Sequence, residues 1–369
     1  MIKPASGLCN LQCDYCFYTD ETRHRRVPFY GIMQSETLEA IVKKAFQTAT
    51  RACCFAFQGG EPTLAGLDFY RRLVQLQQRY NVRGVQIQNA IQTNGYVLDE
   101  SWAQFFAEHR FLVGISLDGT REIHDSFRKS PDGGGTYCTV KKAVSLLEQY
   151  AVEYNILCVV TGPAARHPQK VYQALKDYRY LQFIPCLDGI DGERRPYTLT
   201  PERYGGFLKT VFDLYYQDLT HGVSISVRDF DNYIRMLSGQ APELCGMNGT
   251  CTCQLVIESD GSVYPCDFYV LDEYRLGSVF DSSFEELLCC GAAREFVETS
   301  YAIPASCRAC EWFALCRGGC RRNREAGSSG TLGRNRFCNA YREFFRHAYP
   351  RMAQLGQNLY LMRTYGGAR

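Results

Sequence analysis

No stretch of this chain approaches the roughly 20 consecutive apolar residues that a membrane-crossing helix needs. The opening Met1-Ile2-Lys3-Pro4 lacks the apolar core of a secretory signal. An excess of charge is missing too: 41 Lys and Arg stand against 39 Asp and Glu, a net charge of +2. That balance gives no reason to expect nucleic acid or a membrane as partner, and the cytoplasm is the expected location. Histidine is scarce, and the six present show no ligand spacing. What remains is an ordinary globular composition, 46% apolar and 22% charged, in 369 residues. That length suits one large domain plus a smaller one.

Against these absences stands one abundance. The chain holds 19 cysteines, an odd number that cannot all be paired. Reducing conditions in the cytosol argue against a disulfide framework, so metal binding is the stronger expectation.

From residue 35 to about 220, helical patterns alternate with short apolar runs. Ser35 is placed to cap a helix whose Leu38, Ile41, Val42, Ala45 and Phe46 share one face. Strands are expected at 53–57, 85–91, 111–117, 152–160 and 180–185, with a short first strand at Ile2 to Ala5. Helices are expected at 69–80, 99–109, 139–150 and 168–178. Such alternation implies parallel βαβ units, about six of them. Periodicity alone leaves an open doubly wound sheet possible. The unusual residues favour a partial (β/α)6 TIM-like barrel: Cys9 to Cys16, Gly59 to Pro62, Gln92 to Gly95, Ser116 to Gly119 and Cys186 to Asp188 each follow a strand. That is the rim where barrel enzymes build their sites. The expected division is a barrel over 1–235, a cysteine-rich C-terminal domain over 236–340, and a closing helix and tail over 341–369. Gly327-Ser328-Ser329-Gly330 has loop composition.

Cys9, Cys13 and Cys16 form a CxxxCxxC loop. Three thiolates hold a [4Fe–4S] cube while leaving one iron open to a chelating ligand, such as the amino and carboxylate groups of a methionine moiety. Tyr15, Phe17 and Tyr18 can shield such a cluster. A zinc knuckle lacking its fourth ligand is the plainer alternative. The loop, with Phe17 after its last cysteine, resembles that of the radical S-adenosylmethionine superfamily. In that family a GGEP turn binds the methionine amino group, which points to Gly59, Gly60 and Glu61. Glycines permit close backbone approach, and a carboxylate accepts from an ammonium.

Eight further cysteines lie downstream: Cys245, Cys251, Cys266, Cys307, Cys310, Cys316, Cys320 and Cys338. Their spacing resembles the SPASM signature of peptide-modifying radical enzymes. The resemblance implies two closed [4Fe–4S] clusters, one on Cys245, Cys251, Cys266 and Cys320, the other on Cys307, Cys310, Cys316 and Cys338. Two structural zincs would satisfy the spacing equally well. A redox function favours iron–sulfur, giving three clusters in all. Cys253 is spare, while Cys53, Cys54, Cys138, Cys158, Cys186, Cys289 and Cys290 are expected as small buried hydrophobes. The Arg-rich stretch from Arg317 to Arg336 is usually a solvated loop; alternatively it offsets cluster charge or meets an acidic partner.

Asp267 directly follows Cys266, where a carboxylate can take a proton while a cluster takes an electron. Spacing leaves this even with a simple turn aspartate. From Lys3 to about Pro350 the chain resembles an anaerobic sulfatase-maturating enzyme, notably at Gln58 to Gly66 and Cys245 to Cys253. That family oxidises a serine or cysteine of a sulfatase to Cα-formylglycine. The resemblance makes Asp267 the base and matches Tyr15, Gly60, Ser116, Arg128 and Leu187 to positions contacting S-adenosylmethionine. Tyr18, Gln58, Gln92 and Asp188 lie where the target peptide is expected. An electron donor such as flavodoxin or ferredoxin is implied. Thioether cross-linking by the same clusters, or a zinc-stapled binding module, are the competing readings. With eight residues before Cys9, the first barrel strand is expected to be short and its edge frayed or incomplete.

Overall fold

A computed structural model of the chain describes residues 1–324 and 332–365, so the Gly327–Gly330 loop composition lies outside the described residues. The chain forms two compact units, each drawn from three stretches. The first contains Met1–Leu117, His124–Asn155 and Thr252–Phe296; the second contains Asp118–Ile123, Ile156–Cys251 and Val297–Arg369. Among the described residues no helix is long and apolar enough to cross a membrane.

In the first unit, β1 (Ala52–Phe57), β2 (Gln86–Thr93) and β3 (Phe111–Ser116) pair in parallel, in chain order. Around them run α1 (Ser35–Thr48), α2 (Leu67–Tyr80), α3 (Glu100–Glu108) and α4 (Tyr137–Gln149). The face of α1 read from the sequence is the one it buries. Ser35 is not its cap, however: Gln34 takes that position, and no side chain bonds the exposed N–H groups there. The strand expected over 2–5 reduces to Ile2 alone, which bridges Phe57 on one side and Ile257 on the other. Pro4 has no N–H to extend a ladder, and Ser6 turns to a φ of 50°. Ile257 belongs to an antiparallel sheet of Val256–Ile257, Ser262–Tyr264 and Gly277–Ser278.

In the second unit β4 (Tyr154–Val160), which belongs to it from Ile156 on, pairs in parallel with β5 (Tyr180–Pro185), and β5 with β6 (Ser226–Val227), again in chain order. Its helices are α5 (Pro168–Leu175), α6 (Pro201–Thr220), α7 (Arg228–Leu237) and α8 (Cys338–Tyr365). Each of the six strands is thus followed by a helix, and neither unit reverses its strand order. Parallel strands each followed by a helix are the α/β architecture expected from the sequence. The aromatic pattern at 341–349 is part of α8, which continues through Pro350. Its Phe344 meets Phe212 and Phe230 at 5.8 and 5.5 Å, and Phe345 meets Tyr233 at 5.0 Å. Such aromatic packing offsets the hydrogen bond a proline removes.

Of the seven cysteines expected as buried hydrophobes, only Cys158 and Cys186 are buried. Cys54, Cys138 and Cys289 are exposed, while Cys53 and Cys290 are half-buried. Position explains this correction. Cys53 and Cys54 lie in the less covered first half of β1, Cys138 in the first turn of α4, and Cys289 at the end of a six-residue helix.

Candidate active site

The chain beyond the C-terminal ends of β1 and β2 meets the cysteine loop. After β1 the chain turns through Gly59 and Gly60, at φ values of 89° and 51°. A Cβ on Gly59 would lie 2.4 Å from the Lys3 side chain, and one on Gly60 only 2.2 Å from the Leu8 carbonyl oxygen. The Glu61 N–H then donates to that same carbonyl at 2.8 Å. The glycines therefore let the turn lie directly under the residue preceding Cys9. Glu61, expected as an acceptor for an ammonium, is 1% exposed and its carboxylate is already engaged. It accepts from Thr63 N, Thr63 Oγ1, Thr93 Oγ1 and Asn94 N at 2.6–3.1 Å. It braces the turn against the end of β2. From there Asn94 Nδ2 reaches Asn10 Oδ1 at 2.8 Å and Cys9 Sγ at 3.7 Å. Gln92 donates to Ser116 Oγ at 3.2 Å, joining the ends of β2 and β3.

A second strap holds the loop from the other side. Gln12 and Cys13 pair with Lys129 and Arg128 in an antiparallel bridge. The Arg128 guanidinium stands 5.4 Å from the Tyr15 ring centre. Thr136 Oγ1 donates to the Arg128 carbonyl at 3.0 Å, and buried His124 contacts Thr136 Oγ1 at 3.0 Å. Burial pushes the Cys9 thiol up to about 12, with Glu61, Cys13 and Cys16 adding to it. A thiol held so high keeps its proton in water, and a bound metal is what would deprotonate Cys9.

Ile2 explains the next group. By bridging Phe57 and Ile257 it joins β1 to the small sheet, and the residues that follow each meet. Gln58 Nε2 donates to Asp267 Oδ2 at 3.0 Å, and Tyr18 Oη donates to the same oxygen at 2.7 Å. Phe17 packs edge-on to Phe268 at 5.0 Å. Asp267 is 7% exposed, and its Oδ1 has no partner among the described residues. Burial raises its pKa, which Lys3 and Tyr18 only partly offset. Two residues expected at the target peptide, Tyr18 and Gln58, thus also hold the expected base.

Behind them lies a buried charge group invisible in the sequence. Lys3 Nζ is 3.8 Å from Glu21, 3.5 Å from Glu258 and 4.7 Å from the Tyr18 ring centre. Arg25 pairs with Glu258 at 2.9 Å. Burial works against the charges of Lys3 and Glu258, but their partners outweigh it and both stay ionised. Burial pushes the Glu21 carboxyl up to about 8. Lys3 and Arg25 then face Glu258 inside the molecule, with Glu21 holding its proton. A carboxyl raised from 4.5 to about 8 binds more protons folded than unfolded in that window, so stability falls as pH climbs through it. Glu21→Gln should remove this fall. Melting temperatures at pH 5 and pH 8 should differ less in the variant than in the parent; an unchanged difference would reject the assignment. No pattern in the sequence signals this group, since Lys3 and Glu258 lie far apart in the chain.

In the second unit, Leu187 and Asp188 follow β5. Asp188 Oδ2 pairs with Arg336 at 2.6 Å, and Arg322 donates to its carbonyl at 3.2 Å. Cys307, Cys310, Cys316 and Cys338 line one cavity of about 360 Å³, with Trp312, Gly318, Tyr341 and Arg342. The buried N–H groups of Trp312 (Nε1) and Arg342 (Nε) have no partner among the described residues. Four soft ligands around an open space with spare donors fit an iron–sulfur cluster, whose sulfurs accept hydrogen bonds. Burial and the neighbouring thiols push Cys316 up to about 11. Cys320 is likewise pushed up to about 11, chiefly by burial, with Cys251 and Cys245 also acting on it. Cys266 belongs to the first unit. Among the described residues no three His, Cys, Asp or Glu side chains converge on the spacing of a single metal ion. A cube with one thiolate per iron asks for wider spacing than that. The Arg-rich stretch is not simply solvated: Arg321 and Arg324 are 7% and 2% exposed.

Residues 4–175 match the radical SAM superfamily, and residues 245–311 match the iron–sulfur cluster-binding SPASM domain. Fold and site thus define a radical S-adenosylmethionine protein with an iron–sulfur-binding C-terminal region. The cysteine-type anaerobic sulfatase-maturating enzyme of Clostridium perfringens (strain 13 / Type A) is 48% identical over 97% of this chain and 98% of its own. The serine-type enzyme of Bacteroides thetaiotaomicron is 32% identical over 95% of this chain and 89% of its own. The solved structure of native anSMEcpe with bound AdoMet and Cp18Cys peptide superposes with a TM-score of 0.93 at 48% identity, covering 97% of this chain and 98% of that one. The chain belongs to the anaerobic sulfatase-maturating enzymes, which are radical S-adenosylmethionine enzymes with iron–sulfur clusters.

Proposed function

We propose that this enzyme oxidises a cysteine or serine of a sulfatase polypeptide to Cα-formylglycine, with Asp267 as the base. The observation that carries the proposal is the Asp267 carboxylate itself: Oδ2 is pinned by Tyr18 and Gln58, while Oδ1 is buried with no partner among the described residues. Cys9, Cys13 and Cys16 would hold one [4Fe–4S] cluster, with Tyr15, Gly59, Gly60, Glu61, Ser116, Arg128 and Leu187 positioning S-adenosylmethionine. Glu61 contributes through the turn it braces. Cys245, Cys251, Cys266 and Cys320 would hold a second cluster and Cys307, Cys310, Cys316 and Cys338 a third. When bound, these groups supply a radical that removes one Cβ hydrogen from the target and an acceptor for the electron left behind. Asp267 Oδ1 accepts the proton of the target thiol or hydroxyl. Tyr18 and Gln58 keep Oδ2 occupied, so Oδ1 faces the work alone. Gln92 and Asp188, with Tyr18 and Gln58, line the path of an extended peptide, where amide side chains suit backbone partners. The closing of the barrel is taken at residue 235 and that of the cysteine-rich domain at 340. A flavodoxin or ferredoxin supplies electrons, and the cytoplasm is the working compartment.

The higher identity to cysteine-type relatives favours cysteine as the target. The reaction removes two hydrogens from serine to leave an aldehyde; from cysteine it also exchanges sulfur for the oxygen of water. A sulfatase-motif peptide in both versions, incubated without oxygen with reductant and cofactor, should show these mass changes and a hydrazine-reactive aldehyde. A cross-linked peptide in their place would sink the proposal and point to thioether formation.

A further inference from the structure

We propose that Arg324 is a cation shared by the two auxiliary cluster sites and that it sets the reduction potentials of both. This rests on the ligand sets assigned above.

Arg324 is among the largest fully buried side chains of the molecule, at 2% exposure. A buried guanidinium is costly unless an anion answers it. Here its hydrogen bonds go to two backbone carbonyls: Nη1 to Ser300 at 3.2 Å and Nη2 to Ala302. Nε has no partner among the described residues. The charges acting in favour of its cationic form are thiolates, Cys307 from one set and Cys251 and Cys320 from the other. Local packing agrees. The guanidinium carbon lies 3.7 Å from the position a Cβ would take on Gly318, a glycine at φ 89°. Gly318 lines the four-cysteine cavity and sits in the turn between Cys316 of one set and Cys320 of the other. Arg324 is therefore buried beside the turn that joins the two sets, within electrostatic reach of thiolates from both, with Arg321 as a second cation nearby.

An all-cysteine cluster is anionic, and reduction makes it more so. A fixed cation nearby stabilises the reduced form more than the oxidised form and raises the potential. One cation between two sites raises both, which keeps them matched. The Ser300 and Ala302 carbonyls hold the guanidinium in place, and among the described residues no carboxylate pairs with it, which leaves its charge for the clusters.

The test is potentiometry of the anaerobically prepared holoenzyme, followed by electron paramagnetic resonance, with iron content measured in parallel. In Arg324→Gln, both auxiliary reduction equilibria should shift about tenfold or more toward the oxidised form, about 59 mV for a one-electron couple. Arg324→Lys, which keeps the charge, should stay near the parent. Unchanged potentials in a fully loaded Arg324→Gln overturn the proposal, as does a lysine variant that shifts as far as glutamine, since that marks a packing role. If glutamine prevents loading, Arg324→His is compared with the parent at pH 6 and pH 8: potentials that rise more at the lower pH, where the imidazole is charged, support the proposal, and the same pH dependence as the parent overturns it. Parent enzyme carrying iron for one cluster only would instead overturn the ligand sets on which the proposal rests.

Discussion

Asp267→Asn should leave cofactor cleavage running while aldehyde formation falls by about 10²- to 10⁴-fold, the range expected when a positioned general base is lost. Asparagine keeps the shape of the side chain, and its oxygen can still accept from Tyr18 Oη, now at 2.7 Å from Asp267 Oδ2. What it lacks is the charge and the basicity. The substitution also takes a carboxyl group from beside Lys3, whose contacts with Glu21 and Glu258 remain, so the fold survives the change. The separation of two readouts makes the prediction sharp. Measured together, 5′-deoxyadenosine release should persist and the target aldehyde should nearly vanish. Full aldehyde yield would remove Asp267 from the mechanism, and loss of both products would assign it to binding instead.

The parallel βα pattern was legible because its strands and helices carry plain periodicities. The amphipathic face of α1 and the strand at 180–185 need no tertiary information. The strand ends were legible as well, since glycine turns and the cysteine loop mark them. What the sequence could not carry was which atoms meet. Glu61 looks like an acceptor for a ligand, yet Thr63, Thr93 and Asn94 fill its carboxylate, and Thr93 and Asn94 come from a different strand end. No pattern in the sequence signals Lys3; it is 1% exposed and anchors a charge group reaching Glu258. Cysteine was misread in the opposite direction. Its average preference for the interior predicted burial at Cys54, Cys138 and Cys289, while strand ends and helix ends left them exposed. Composition sets such averages, and topology overrides them at particular positions.

Gly60→Ala should strip the first cluster selectively. At a φ of 51°, an alanine sits in the left-handed region at a cost of about 1–2 kcal/mol. That cost alone the protein can bear. The added methyl carbon, however, would stand 2.2 Å from the Leu8 carbonyl oxygen, far inside contact distance, and the obstacle is backbone. Either Leu8 moves, and with it the neighbouring Cys9, or the turn moves and Glu61 gives up its N–H bond to Leu8 at 2.8 Å. In both cases the three thiolates no longer share one geometry, because Cys13 remains tied to Arg128 by the antiparallel bridge. Overpacking of this kind costs about 1–3 kcal/mol more, enough to displace a loop but not to unfold a chain of this size. The expected result is a folded protein that has lost one cluster's worth of iron and all cofactor cleavage, with the auxiliary clusters retained. Glu61→Gln is the companion: one amide oxygen keeps the bonds from Thr63 and Thr93, but the NH2 meets the Asn94 N–H, so iron content should fall, though less than in Gly60→Ala. A Gly60→Ala protein with full iron and normal 5′-deoxyadenosine release would show that the turn yields without disturbing Cys9, and that the glycine is needed for something other than holding the loop.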